Sequence, residues 1–161
     1  MADLNNLISP FFLNNKEIRK IIELLFFSYR DFTAGPDQIL EKLNFGRAHH
    51  RVIYFVGKKD KITIKELLGV LKITKQSLSR VLNQLVKEGF IVVSTGLDKR
   101  TKNLSLTSSG LSLENELSTI QIQKIRKVIN NFNQEDIDGF KKILYEMIEI
   151  DNKKTFQHLN E

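Results

Sequence analysis

Between Lys75 and Lys87 the chain carries Lys75, Gln76, Ser77, Ser79, Arg80, Asn83 and Lys87, a set of amide, hydroxyl, guanidinium and ammonium groups with no carboxylate until Glu88. Projected on a helix at about 100° per residue, Gln76, Arg80, Asn83 and Lys87 fall on one side, with Ser77 and Ser79 flanking them. Leu78, Val81, Leu82, Leu85 and Val86 fall on the other side and form a core face. A solvated helix face ordinarily mixes Glu with Lys. A face of donors and bidentate groups without acids suits base edges and phosphates instead. A second basic cluster follows in a short loop, where Lys99, Arg100 and Lys102 stand beside Asp98. Such a loop can reach the minor groove of a duplex, whose narrow A-tracts attract Arg. The plainer reading of each cluster is a solvated face or an exposed turn, so the elements that position them decide between the two.

Those elements read as helix, turn, helix and hairpin. Thr63-Ile64-Lys65-Glu66 has the form of a capping box, in which the Thr hydroxyl accepts from the amide three residues on and the Glu returns to the Thr amide. The helix it opens carries Ile64, Leu67, Leu68 and Leu71, and Lys72-Ile73 turns the chain. Thr74 is placed to cap the next helix, Lys75 to Glu88, which ends at Gly89. Phe90–Ser94 and Lys102–Leu106 alternate as strands, with Ile91 and Val93 on one and Leu104 and Leu106 on the other. Thr95–Thr101 joins them. Thr107 can cap a last helical block, with an apolar period from Leu113 to Phe132, a polar break at Asn130–Gln134, and a final helix over Asp136–Ile150. On the N-terminal side, Asn15–Phe32 reads as a helix, Ala34-Gly35-Pro36 as its break, Asp37–Leu43 as a short helix and Gly46–Val56 as another.

Composition narrows the possibilities. The chain has 161 residues, no Cys, no Trp and two Pro, enough for one domain, or one domain with an assembly element. The absence of Cys excludes disulfides, thiol redox sensing and Cys-based zinc sites. The net charge is +6, but it is unevenly placed: Arg47–Lys102 holds 13 Lys and Arg against 4 Asp and Glu. That segment is therefore +9 and the remainder −3, the segregated footprint expected of a polyanion binder. Met1–Asn6 is polar without a basic run, and no apolar stretch is long enough to cross a bilayer, so a cytoplasmic protein without membrane contact is expected.

The succession from Leu67 to Gly110 resembles the MarR family of bacterial transcription regulators. The resemblance is carried by the helix-turn-helix, the exit Leu85-Val86-Lys87-Glu88-Gly89-Phe90-Ile91, the Asp98-x-Arg100 wing signature, and Leu106-Thr107 with Gly110 opening the next helix. It implies a mainly α fold with a small β-hairpin wing, and a homodimer whose two winged domains take successive major grooves of a palindromic operator in double-stranded DNA. It also implies that Arg100 enters the minor groove while Asp98 holds the wing by pairing with a basic residue. Many members are repressors released by small aromatic ligands. Two departures stand out: the wing loop is one residue short, and Val93, Ser94 and Thr95 stand where a basic residue is common.

The expected organisation is a winged helix-turn-helix DNA-binding domain over 35–106, with a helical dimerisation region built from 1–34 and 107–161. Leu4, Leu7, Ile8, Phe11, Phe12 and Leu13 belong to that assembly surface. The expected DNA-binding residues are Thr74, Lys75, Gln76, Ser77, Ser79, Arg80, Asn83 and Lys87, with Asp98, Lys99, Arg100 and Lys102 on the wing. Of these, Gln76, Ser77, Ser79 and Arg80 are expected to read bases and Lys75, Asn83, Lys87, Lys99 and Lys102 mainly to hold phosphates. A pocket for a small aromatic effector is placed at Phe26, Phe27, Arg30, His49 and Tyr54, although aromatics at helical spacing more often form core. No catalytic set, cofactor or metal is expected: His49 and His50 diverge by about 100° on a helix and make no i, i+4 pair. The competing view, from another class, is a helical assembly module whose winged domain binds protein and has no role on DNA.

Overall fold

A computed structural model of the chain describes residues 13–161; Leu4, Leu7, Ile8, Phe11 and Phe12 of the expected assembly surface lie outside the described residues. The chain divides into two compact units, one ending at Ala34 and one running Gly35–Glu161. Helix α1 (Asn15–Lys42) gives its first part to one unit and its last turns to the other. Up to Ala34 it carries Ile18, Ile21, Ile22, Leu25, Phe26 and Tyr29, all of them exposed.

Ala34-Gly35-Pro36 does not break this helix, which continues to Lys42 with Pro36 inside it. Proline inside a helix costs about 3 kcal/mol through a lost hydrogen bond and a ring clash. Here Pro36 and Leu40 are both fully buried, and burial of such side chains offsets a cost of that size. Gly35 has a packing role as well: a Cβ there would lie 2.7 Å from Ile120 Cγ2.

In the second unit α1 is followed by α2 (Arg47–Lys58), β1 (Ile62–Thr63), α3 (Ile64–Leu71), α4 (Lys75–Lys87), β2 (Ile91–Thr95), β3 (Lys102–Leu106) and α5 (Ser108–Ile129). The expected hairpin is a three-stranded antiparallel sheet of order β1-β3-β2. The added strand is two residues long, too short to show a period, and pairs Ile62 with Leu104 on the far side of β3. Leu104 also faces Val93 across the hairpin. The core gathers Leu40, Val52, Ile53, Val56, Ile62, Leu67, Leu78, Leu85, Ile91, Leu104 and Leu117. Val86 and Val93, given to apolar faces by their period, are exposed. The last helical block also differs. In place of one helix over Asp136–Ile150 there are two, α6 (Gln134–Glu146) and α7 (Ile150–His158), separated where Glu149 turns to extended backbone at ψ 146°. The polar make-up of α7 gave no apolar period to follow.

The local signals that frame α3 and α4 form as expected. Thr63 Oγ1 accepts from the Glu66 amide at 3.1 Å, and Glu66 Oε2 accepts from the Thr63 amide at 2.8 Å. Glu66 Oε1 also accepts from Lys59 Nζ at 2.7 Å. Lys59 first, then the Thr63 amide, hold the Glu66 carboxyl down at about 2. A depressed carboxylate stabilises the fold fully above its unfolded value and loses that contribution as pH falls through the folded value. The expected outcome is that Glu66→Gln costs about 1 kcal/mol near pH 7, a figure reduced for the side chain's exposure. The gap to the parent protein should close as pH falls from 4.5 toward 2. Thermal unfolding at a series of pH values checks this; a gap that widens in acid contradicts it.

Candidate nucleic-acid interface

Helix α4 is set by its two ends and its buried face. At the start, Thr74 Oγ1 accepts from the Ser77 amide at 3.1 Å and donates to Ser77 Oγ at 2.9 Å. Ser77 therefore serves the cap while keeping its own hydroxyl hydrogen for another acceptor. At the end, the Phe90 amide returns to the Leu85 carbonyl and the Gly89 amide to that of Val86, with Gly89 at φ 78°. These are the two bonds of a Schellman cap. Leu78, Val81, Leu82 and Leu85 are buried. Lys75, Gln76, Ser77, Ser79, Arg80, Asn83 and Lys87 are exposed together on the opposite side. The helix N-terminus adds its own partial positive charge beside Lys75.

The wing tip is a closed turn. The Gly96 amide donates to the Thr101 carbonyl at 2.9 Å and the Thr101 amide to the Asp98 carbonyl at 2.8 Å. Asp98 Oδ1 accepts from the Arg100 amide at 2.9 Å. The resemblance implied a basic partner for Asp98; the carboxylate instead braces the turn through main chain, consistent with Val93, Ser94 and Thr95 supplying no cation. Lys99 and Arg100 are exposed at the tip, and among the described residues neither makes an ion pair with a carboxylate.

Two hollows flank the start of α4. One, of about 630 Å³, runs between α3 and the wing and is lined by Thr63, Ile64, Lys65, Leu68, Lys75, Arg100, Thr101 and Lys102. Four cations converge there without an acid in the lining. Lys65 is the residue that the sequence reading left out. Its signal was available, since the capping box at Thr63 fixes the first turn of α3 and Lys65 is the solvent-facing residue of that turn. The other hollow, of about 490 Å³, lies between α4 and the sheet, with Ile64, Leu78, Leu82, Val86, Val93 and Leu104 below and Lys75, Ser79, Asn83 and Lys87 at its edge. Val86 and Val93 are exposed because they line this open cleft.

The candidate effector residues fall in both compact units. In the first, Phe26 and Phe27 meet edge to face at 5.4 Å and the Arg30 guanidinium lies 4.8 Å above Phe27. Phe26, Phe27, Tyr29 and, in the second unit, Tyr54 are all exposed, so none of the four is core. Tyr54 meets Phe55 edge-on at 5.2 Å. His49 is engaged through both ring nitrogens, with the Gly46 amide on Nδ1 and Gln84 on Nε2. Burial pushes His50 below the usual histidine value, against the opposing pull of Asp37 and Glu114 and with help from Arg51. Among the described residues no three His, Cys, Asp or Glu side chains gather as a metal site, and no helix is long and apolar enough to cross a membrane.

Comparison with known proteins gives a consistent result. The sequence model of the MarR family matches residues 43–101. The HTH-type transcriptional regulator PetP of Rhodobacter capsulatus is 40% identical over 151 residues, covering 93% of this chain and 91% of PetP. The HTH-type transcriptional repressor YetL of Bacillus subtilis is 25% identical over 132 residues, covering 78% of this chain and 79% of YetL. Among solved structures, Streptococcus pneumoniae FabT in complex with DNA superposes with a TM-score of 0.72 at 20% identity, covering 81% of this chain and 94% of FabT. A MarR transcriptional regulator from Methanosarcina mazei gives a TM-score of 0.64 at 22% identity, covering 80% and 95%. These likenesses support the same winged-helix fold.

Proposed function

The chain belongs to the MarR family of HTH-type transcriptional regulators, and on that premise we propose that it is a dimeric, sequence-specific DNA-binding regulator that acts as a repressor in the cytoplasm and is released from a palindromic operator by a small aromatic effector. The observation that carries this reading is the exposed face of α4, with reading groups, no carboxylate before Glu88, and a basic hollow at its start. Gln76, Ser77, Ser79 and Arg80 are assigned to base edges in the major groove. Lys75, Asn83, Lys87, Lys99 and Lys102 are assigned to phosphates, and Arg100 to the adjacent minor groove. PetP and YetL are named as a transcriptional regulator and a repressor, and the FabT complex holds DNA on this fold.

Dimerisation is supported by apolar surface in each unit: Ile18, Ile21 and Ile22 on the first part of α1, and Ile122, Ile125, Phe140 and Ile143 on α5 and α6, all exposed. Soluble monomers rarely leave apolar surface of that extent uncovered. Two copies would set the spacing between half-sites. Of the effector candidates, Phe26, Phe27 and Arg30 in the first unit and Tyr54 in the second keep that assignment, each by itself. Arg30, which also pairs with Asp31, is suited to an anionic group on an aromatic ring; His49 is taken up by Gly46 and Gln84.

Selection of bound fragments from genomic DNA, together with sedimentation of the free protein, tests this reading. The expected outcome is a dimer and a family of fragments sharing an inverted repeat with half-sites about one helical turn apart. A monomer, or fragments without a shared sequence, would favour a protein-binding assembly module. Within this reading, Lys65→Ala is expected to weaken binding to all duplexes and to flatten the dependence of log K on log salt by about one unit, the contribution of one phosphate contact. An unchanged slope removes Lys65 from the interface.

A further inference from the structure

We infer that His49 and Gln84 form a positioning pair that fixes the rotation of the reading helix α4 about its own axis, so that a histidine of α2 governs how well the protein discriminates between sequences. The inference rests on the DNA-reading function proposed above.

His49 Nε2 lies 2.9 Å from Gln84 Oε1, across a separation of 35 residues. The Gly46 amide donates to His49 Nδ1 at 3.1 Å. A backbone amide has only a proton to offer, so Nδ1 is the bare nitrogen and the ring proton sits on Nε2, donating to Gln84. The Gln84 amide nitrogen in turn donates to Glu88 Oε1 at 3.1 Å and to the Asn44 carbonyl at 3.4 Å. The imidazole cannot swing away cheaply, because it is stacked on Phe45 at 4.7 Å and 9°. Phe45 is itself buried and held edge-on by Phe90 at 5.4 Å. Asn44, Gly46, His49 and Gln84 therefore tie α4 to the turn between α1 and α2.

Thr107 holds the exit of α4 at Gly89 and Phe90, and along the body of the helix the remaining attachment is apolar, through Leu78, Val81, Leu82 and Leu85. Apolar burial is non-directional and tolerates small rotations of a helix in its seat. A hydrogen bond does not, since it weakens steeply as its angle departs from linear. Gln84 lies four residues after Arg80, so a rotation that strained its bond to His49 would carry that reading group off its base. Phosphate contacts through flexible lysines would suffer far less. The pair should therefore affect specificity more than overall affinity.

The test uses the full chain, an operator duplex selected with the parent protein, and a scrambled duplex of the same length. His49→Asn keeps an acceptor for the Gly46 amide but cannot reach Gln84. Gln84→Leu breaks the same bond from the α4 side. Each is expected to lower the ratio of operator to scrambled affinity by about two- to tenfold, the range of one hydrogen bond, with scrambled binding unchanged. His49→Gln, whose amide nitrogen reaches the same acceptor, should restore most of the ratio. A ratio unchanged in His49→Asn and Gln84→Leu, with only the unfolding midpoint lowered, overturns the pair and leaves the DNA-reading function standing. So does a loss that His49→Gln fails to restore. A parent protein that does not prefer the operator overturns the function and the pair with it.

Discussion

Replacing Gly110 with alanine is expected to destabilise the protein by about 3 kcal/mol, the upper end of what overpacking a well-formed core costs. Gly110 lies in the first turn of α5, where a Cβ would stand 2.0 Å from the Phe90 carbonyl oxygen and 3.0 Å from its carbon. The nearest side-chain atom, Leu106 Cβ at 3.3 Å, is attached directly to main chain and cannot relieve the clash with the Phe90 carbonyl. Phe90 carries the chain out of α4, and its carbonyl already accepts from the Thr107 amide at 3.1 Å. Thr107 also donates its hydroxyl to the Gly89 carbonyl at 2.6 Å and accepts from the Gly110 amide at 3.1 Å. The added methyl would therefore press on main chain at the joint between α4, the wing and α5. Gly139 is the control. It lies inside α6 with nothing within 4 Å of its would-be Cβ. Gly139→Ala is expected to stabilise by up to about 1 kcal/mol, because helical glycine costs that much relative to alanine. Urea or thermal unfolding of the two variants should show opposite signs; similar effects would mean the joint at Gly110 relaxes freely.

The second large effect concerns Arg80. Its guanidinium is exposed on the outward face of α4, beside Ser77, Ser79 and Asn83. A bidentate contact to guanine contributes about 1–3 kcal/mol of discrimination, so Arg80→Ala is expected to lower operator affinity by roughly 5- to 150-fold while costing scrambled DNA little more than one phosphate-range charge. Lys99→Ala, at the wing tip, should behave differently. It is expected to weaken operator and scrambled duplex alike and to reduce the salt slope by about one unit. Paired titrations at several salt concentrations separate the two. Equal losses from both variants on every duplex would contradict the division between reading helix and wing.

Much of this architecture could be read from single residues because the forces involved are local. The capping box at Thr63, the cap at Thr74, the left-handed exit at Gly89 and the apolar period of α4 each depend on neighbours within a turn or two. What escaped the reading depends on partners far along the chain. Pro36 continues a helix because it and Leu40 are buried in the core, and no local signal announces that burial. Strand β1 exists because Ile62 finds Leu104. Val86 and Val93 follow an apolar period yet line an open cleft. The bond between His49 and Gln84 crosses 35 positions and has no signature in spacing. Asp98 kept its family position but turned its carboxylate to the Arg100 amide, because the residues at Val93, Ser94 and Thr95 supply no cation.

The central claim is that the basic middle of the chain reads duplex DNA. The most direct measurement is the affinity of the protein for its selected operator and for a scrambled duplex, from about 50 to 200 mM salt. The expected result is a preference for the operator of about a thousandfold or more at physiological salt, with log K falling along a slope of about −5 or steeper for both duplexes, as several released counterions require. Absence of binding to either duplex at the lowest salt, or binding that ignores sequence and salt together, would contradict the account.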